Sequence, residues 1–239
     1  MIHKIKQSFL FYRDSSDDYS IKKVFPYNKQ IFTQGLLKFN NYLIVSSGHY
    51  KNSFIAKLDL MNNEIKQCNF LKEMFFGESI TFNGKYIVQL TWKENVVLCR
   101  APDTLNIKKV FFKPGEGWGI CCGDNRLFIS DGSDTIKLFD KNTFQLIDAV
   151  HVFYQKEKIF GINDLEYNNG YIYANVLNTS YIIRIKSLTG EIDKIYDFKS
   201  LLKYFGKDIG ILNGIAFVSK NDFLITGKNW NNIVLVELK

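Results

Sequence analysis

The sequence predicts an all-β fold, a five-bladed β-propeller of four-stranded antiparallel blades whose last blade is closed by an N-terminal strand. Three observations carry this. A local pattern of turn, polar or aromatic residue and aliphatic strand start recurs five times. Its anchors Leu36, Ile80, Ile120, Leu165 and Ile215 are separated by 44, 40, 45 and 50 residues, the repeat length of propeller blades. Aromatic and β-branched residues dominate over helix formers, with 21 Phe and 13 Tyr, and such side chains suit pleated, half-buried strands. Asn, Asp and Gly clusters fall between the apolar runs, where tight hairpin turns need them.

Taken in order, residues 1–18 read as a polar lead ending in the acidic loop 14–18, and residues 19–239 as a single propeller domain. A strand at 19–26 ends at Pro26. Each repeat then presents a strand, a turn and a second strand. The turns fall at Asn40-Asn41, Asn83-Gly84, Gly123-Asp124-Asn125, Asn168-Asn169-Gly170 and Lys220-Asn221-Asp222. A second hairpin follows in each of the first four repeats, turning at 59–63, 101–104, 140–143 and 187–190. The fifth repeat runs out after three strands, the last at 232–238, so the strand at 19–26 is expected to complete it. Only a few segments, such as residues 200–205, could form even a short helix.

In a propeller the first strand of each blade lines the central channel. The residues two places before the anchors, Gln34, Glu78, Trp118, Asn163 and Asn213, are therefore expected to gather at one mouth of that channel. Twelve residues after the anchors come Gly48, Trp92, Gly132, Leu177 and Gly227, at loops returning to the same face. Glycine there leaves space, whereas Trp92 fills it. Lys228 follows Gly227, and Trp230 lies two beyond.

Bulk properties exclude several classes. The net charge is +7, but the lysines are scattered, with no basic run and no nucleic-acid motif, so solvated strand faces are expected and no nucleic-acid partner. No run approaches the roughly 18 apolar residues of a membrane span, so no membrane insertion is expected. Residues 1–13 contain only a short apolar patch and no small-residue cleavage site, and do not read as a signal peptide. Cys68, Cys99, Cys121 and Cys122 have neither metal-site nor disulfide-framework spacing and are expected as free thiols. The compartment is left unassigned, and the chain is expected to act as a monomer.

Glu78 is the only carboxylate in the ring register. Walled by Phe76, Trp92 and Trp118 it should be partly desolvated, its pKa raised toward the range useful for proton shuttling. A channel-mouth ion pair with Lys228 is the structural alternative. Gln34, Asn163 and Asn213 are suited to hold an amide or an oxyanion, or alternatively to satisfy turns. No serine-nucleophile motif, phosphate loop or zinc signature occurs, and His3, His49 and His151 are far apart. One metal option is open on residue chemistry alone: Glu78, Asn163 and Asn213 offer oxygen ligands of the kind calcium takes, as in a lactonase-like propeller hydrolase. A non-catalytic peptide-binding propeller is a third option.

The stretches Phe32-Thr33-Gln34-Gly35-Leu36, Phe76-Gly77-Glu78, Gly117-Trp118-Gly119, Ser130-Asp131-Gly132, Asn163-Asp164-Leu165-Glu166-Tyr167, Leu212-Asn213-Gly214-Ile215-Ala216 and Thr226-Gly227-Lys228-x-Trp230 resemble those of the plant and bacterial glutaminyl cyclases, in the same order. The resemblance covers about Tyr19 to Leu238. It implies a propeller enzyme that converts the N-terminal glutamine of peptides or proteins to pyroglutamate with release of ammonia, without a cofactor or catalytic metal, in a family whose members are commonly exported. It implies Glu78 as acid/base catalyst, Gln34, Asn163 and Lys228 as polar pocket residues, and Phe32, Phe76, Trp92 and Trp118 as an aromatic wall. In the reaction Lys228 and Asn163 are expected as further catalytic groups at the oxyanion, and the ring and loop registers add Asn213 and Trp230 to Gln34 and the aromatic wall as substrate-binding residues. Two positions depart from the family pattern. A glycine usual after the glutamate is Ser79 here, and an aromatic expected in the fourth-blade loop is Leu177, a change expected to alter peptide preference before chemistry.

Overall fold

The computed structural model describes residues 11, 14–206 and 209–239, so most of the polar lead lies outside the described residues. Five four-stranded antiparallel sheets make up the ring. Blade 1 is β2 (Thr33–Phe39), β3 (Tyr42–Ser47), β4 (Phe54–Asp59) and β5 (Glu64–Phe70). Blade 2 is β6 (Gly77–Phe82), β7 (Ile87–Thr91), β8 (Val96–Arg100) and β9 (Ile107–Phe112). Blade 3 is β10 (Ile120–Gly123), β11 (Arg126–Ser130), β12 (Thr135–Asp140) and β13 (Leu146–His151). A small hairpin, β14 (Phe153–Tyr154) and β15 (Glu157–Lys158), precedes blade 4, which is β16 (Ile162–Asn168), β17 (Tyr171–Val176), β18 (Tyr181–Lys186) and β19 (Ile192–Asp197). Helix α1 (Lys199–Phe205) leads to β20 (Leu212–Ser219), β21 (Asp222–Gly227) and β22 (Asn232–Leu238).

The fifth blade is completed by β1 (Tyr19–Pro26), which pairs antiparallel with β22 from Tyr19 opposite Leu238 to Pro26 opposite Asn232. Inner strands β2, β6, β10, β16 and β20 pack each on the next, and β20 packs back on β2, closing the ring. Asn40, Asn125 and Asn169 in the hairpin turns have φ between 48° and 62°, a region where Asn is among the least strained side chains, and Lys220 takes the same backbone at φ 51°.

The apolar core is divided into five clusters, one between each pair of neighbouring blades. Ile44, Ile55, Ile80 and Ile87 join blades 1 and 2; Val88, Val97, Ile120 and Leu127 join blades 2 and 3. Phe128, Leu138, Ile172 and Ile183 join blades 3 and 4; Tyr173, Ile182, Ile215 and Val234 join blades 4 and 5. Leu36, Leu43, Ala216 and Leu224 close the ring between blades 5 and 1. This follows from geometry: each strand presents alternate side chains to opposite faces, so a radially arranged blade must bury both faces against neighbours. Phe11, in the lead, belongs to the same cores. It is fully buried between blades 3 and 4, edge-on to Tyr181 at 5.2 Å.

Candidate active site

Four of the five inner strands carry a β-bulge at the ring register. Pairing of β2 with β3 skips Gln34; Glu78 and Ser79 oppose one residue of β7; Asn163 and Asp164 oppose one residue of β17; Asn213 and Gly214 oppose one residue of β21. A bulge breaks the in–out alternation and re-aims a side chain, so the bulges turn polar residues out of the sheets. The fifth position, Trp118, precedes β10 in the loop that enters it. Small residues permit the close approach: a Cβ on Gly35 would lie 2.6 Å from the Ser79 Cα, and one on Gly119 would lie 1.9 Å from the Asn163 carbonyl oxygen.

At this mouth a cavity of about 260 Å³ is lined by Phe32, Gln34, Phe76, Glu78, Trp92, Trp118, Asn163, Leu177 and Lys228. Eight of the ten residues singled out in the sequence meet here, together with Leu177. The spaces left by glycine are occupied by rings. A Cβ on Gly48 would meet the Phe76 ring at 2.3 Å, and one on Gly132, which also has φ of 80°, would meet Trp118 at 2.4 Å. Phe76 also packs edge-on against Phe32 at 6.5 Å and Trp92 at 5.5 Å. The wall continues outward through His49, 4.3 Å from Phe32, and Tyr50, 5.4 Å from Phe76.

Glu78 is 4% exposed. Its Oε1 accepts a 3.0 Å hydrogen bond from Gln34 Nε2, while Oε2 accepts none from a described residue. Burial holds its pKa well above the ordinary carboxylate value; Lys228 opposes that shift, and Asp164, Glu94 and Glu116 reinforce it. Lys228 is also buried, which lowers its pKa against the pull of Glu78 and Asp164. The two do not form the ion pair that the sequence left open, since no nitrogen–oxygen approach lies within 4.0 Å. The Lys228 ammonium instead lies over the Phe32 ring, 4.9 Å from its centroid. The Asn163 carboxamide lines the cavity without a hydrogen bond to any described residue.

Two of the sequence-selected residues do not line the cavity. Asn213 is fully buried and donates from Nδ2 to the Thr33 carbonyl at 3.0 Å and to Gln34 Oε1 at 3.3 Å. Its bulge aims it between blades 5 and 1 rather than into the cavity. Trp230 is 1% exposed and donates its indole N–H to the Gly210 carbonyl at 2.8 Å. It lies against Gly227, where a Cβ would sit 2.1 Å from its Nε1, and 5.8 Å from Phe205. Residues two apart share a face only along an uninterrupted strand. Asn229, at φ 60°, breaks the strand between Lys228 and Trp230.

Ser79 has an account in the structure. Its φ is not in the left-handed region, and its buried hydroxyl donates to Asp164 Oδ1. The other Asp164 oxygen accepts the Ile215 N–H at 3.0 Å. Two residues on, Glu166 accepts the Phe217 N–H at 3.0 Å, so blade 4 holds blade 5 by two carboxylates two residues apart on β16. Burial raises Asp164 to about 8 and Glu166 to about 7.

Sequence reasoning missed the loop that holds the tryptophans. A single oxygen, Glu116 Oε2, accepts the indole N–H of Trp92 at 2.8 Å and of Trp118 at 2.9 Å. Lys113, 3% exposed, donates to the carbonyls of Gly115 and Glu116 at 2.8 and 2.9 Å and shapes the same loop. The sequence shows only a carboxylate two residues before Trp118 in a glycine-rich loop, with no periodicity to say that it faces the ring. Glu94, at the mouth, accepts the Tyr50 hydroxyl at 2.8 Å. Among the described residues no group of three or more His, Cys, Asp or Glu is placed to hold a metal ion. With the Asn213 amide directed at Thr33 and Gln34, the calcium trio considered from the sequence does not converge on the cavity.

Comparison with known proteins finds relatives that match in sequence and in fold. The chain is 34% identical over 226 residues to a glutaminyl-peptide cyclotransferase of Arabidopsis thaliana, covering 90% of this chain and 69% of that protein. Its fold superposes on the crystal structure of the Myxococcus xanthus glutaminyl cyclase with a TM-score of 0.86, at 28% identity, covering 92% of this chain and 96% of that one. Residues 5–238 match the glutamine cyclotransferase family. With the family match over residues 5–238 and the agreement of the fold over nearly the whole length, the chain belongs to the glutamine cyclotransferase family.

Proposed function

We propose that this protein cyclises the N-terminal glutamine of peptides or proteins to pyroglutamate, releasing ammonia, with Glu78 as general base and then general acid. The observation that carries the reading is the buried carboxylate in the lining of an aromatic-walled cavity, with one oxygen capped by Gln34 and the other without a partner among the described residues. At about 260 Å³ the cavity falls just below the roughly 300–1,000 Å³ of ordinary small-molecule sites. That size suits one folded-back side chain with its amine, the rest of the peptide leaving through the mouth.

The substrate supplies both reactants. Its α-amine attacks the γ-carboxamide carbon, so the enzyme needs no nucleophile of its own. Folding by Phe32, Phe76, Trp92 and Trp118 makes the attack intramolecular, and good alignment supplies about 7–11 kcal/mol of such barriers. Glu78 takes a proton from the attacking amine and returns it to the departing nitrogen, a contribution of about 10²–10⁴-fold. The raised pKa of Glu78 suits that double role, because a more basic carboxylate takes a proton from the amine more readily and can return it to the departing nitrogen. The Lys228 ammonium and the Asn163 amide stabilise the oxyanion.

The test is mass spectrometry of a Gln-initiated peptide incubated with wild type and Glu78→Gln. Wild type is expected to remove the mass of one ammonia, with or without a chelator, and the variant to lose at least two orders of magnitude in rate. An unchanged rate in the variant removes Glu78 from the mechanism. A wild type that binds such peptides without altering their mass overturns the activity.

A further inference from the structure

We infer that Asn213, outside the cavity, is a positioning residue that decides which oxygen of Glu78 carries the proton. The inference rests on the reading of Glu78 as the acid/base group. It starts from a fixed point: the Thr33 carbonyl can only accept. The side-chain atom of Asn213 at 3.0 Å from it is therefore the donor Nδ2. The same nitrogen has a second hydrogen and stands 3.3 Å from the Gln34 amide, which must present its oxygen. The Gln34 amide is thereby oriented, and its Nε2 donates to Glu78 Oε1 at 3.0 Å. One acceptor-only carbonyl on blade 1 thus sets the polarity of every amide up to the carboxylate.

Oε1 is a permanent acceptor in this chain, and a proton placed on it would face an N–H. Oε2 is then the oxygen that exchanges protons. In the cyclisation, the amine nitrogen forms its bond to the γ-carbon while its proton passes to Oε2. The same proton then goes to the amide nitrogen as the carbon–nitrogen bond breaks, and ammonia leaves with Oε1 unprotonated throughout. Asn213 is fully buried, and its own Oδ1 has no hydrogen-bond partner among the described residues, so none of them holds the amide on its far side. Its orientation rests on Thr33 and Gln34. The bulge at Asn213-Gly214, with Gly214 at φ 109°, is what brings it there.

Without Asn213, Gln34 is free to turn its oxygen toward Glu78, which favours the protonated acid and raises its pKa. The charges that also act on Glu78 are Lys228 after β21, Asp164 on β16, and Glu94 and Glu116 in the loops after β7 and β9. All are retained in the variants below and cancel in the comparison. The experiment titrates the Glu78 carboxyl by carbon NMR on glutamate-labelled protein, and the acidic limb of kcat/KM, in wild type, Asn213→Leu, Gln34→Leu and the double variant. Asn213→Ala replaces Asn213→Leu if the latter does not fold.

Asn213→Leu is expected to raise the Glu78 midpoint by about one pH unit, the size of a lost hydrogen bond to a charged group, and to change nothing further in the Gln34→Leu background. That non-additivity marks a residue acting through its neighbour. Equal shifts in both backgrounds, or no shift in the single variant, overturn the inference. Should wild type release no ammonia, the proposed activity falls, while the NMR titration still decides the polarity of the chain.

Discussion

Removing the Glu116 side chain separates binding from chemistry at this site. One carboxylate oxygen holds two indoles that come from different blades, at 2.8 and 2.9 Å. Hydrogen bonds to charged groups contribute about 1.5–3 kcal/mol each when buried. The Glu116 side chain is 40% exposed, so solvent screening reduces each to roughly 1 kcal/mol or less. Glu116→Leu frees both rings to take other rotamers, and restoring the aromatic wall on binding then costs roughly 1–2 kcal/mol, a factor of about 5–30. The factor should fall on KM, because the rings shape the bound substrate before any bond changes. Glu116→Gln supplies the control: its carboxamide oxygen accepts the same two N–H groups without the charge. In that variant KM is expected to stay within about twofold of wild type. The acidic limb should move to lower pH, since Glu116 is one of the charges raising Glu78. Steady-state ammonia release with a short Gln-initiated peptide reads both parameters. Equal rises of KM in the two variants would assign the effect to charge, and a fall in kcat at constant KM in Glu116→Leu would refute the clamp altogether.

Folding stability, read from urea midpoints, should decline as pH rises from about 4 to about 8. Asp164 and Glu166 have folded pKa values near 8 and 7 against ordinary values of 3.8 and 4.5, so the folded state binds more protons in that window. Lys113, lowered to about 8 by burial, acts in the opposite sense but only above that pH. A flat or rising profile between pH 5 and 8 would show that the two carboxylates are ionised in the fold. Leu177→Trp restores an aromatic at the one gap in the cavity wall and should lower KM by roughly 2–10-fold, the size of an aromatic contact of about 0.5–1.5 kcal/mol, with kcat little changed. No change in KM would place the substrate away from Leu177.

The ring was legible because a propeller repeats its punctuation. Asn and Gly turns, aliphatic anchors and space-giving glycines recur at blade spacing, and Gly48 and Gly132 do sit beneath Phe76 and Trp118. Register alone places a residue on a strand but does not say which way a bulge turns it. Gln34, Glu78 and Asn163 were turned into the cavity and Asn213 away from it, although all four occupy the same repeat position. The Trp230 position misled for the opposite reason: its strand is interrupted by Asn229. Glu116 and Lys113 were invisible because what they do depends on the path of one irregular loop, which no periodicity encodes. Ser79 became intelligible only with its partner, since Asp164 lies 85 residues away.

The lining of the cavity runs from Phe32 on blade 1 to Lys228 on blade 5, and β1 enters its sheet by pairing with β22. A partly made chain can therefore form blades, but it cannot form the pocket. On the ribosome the cavity would assemble only after β22 has emerged, long after Glu78, so this carboxylate stays solvated and weakly basic until closure. Such sequence-distant pairing favours slow, late completion. It also suggests that moving the chain ends to another blade boundary, by circular permutation, would preserve the chemistry provided the new ends still meet.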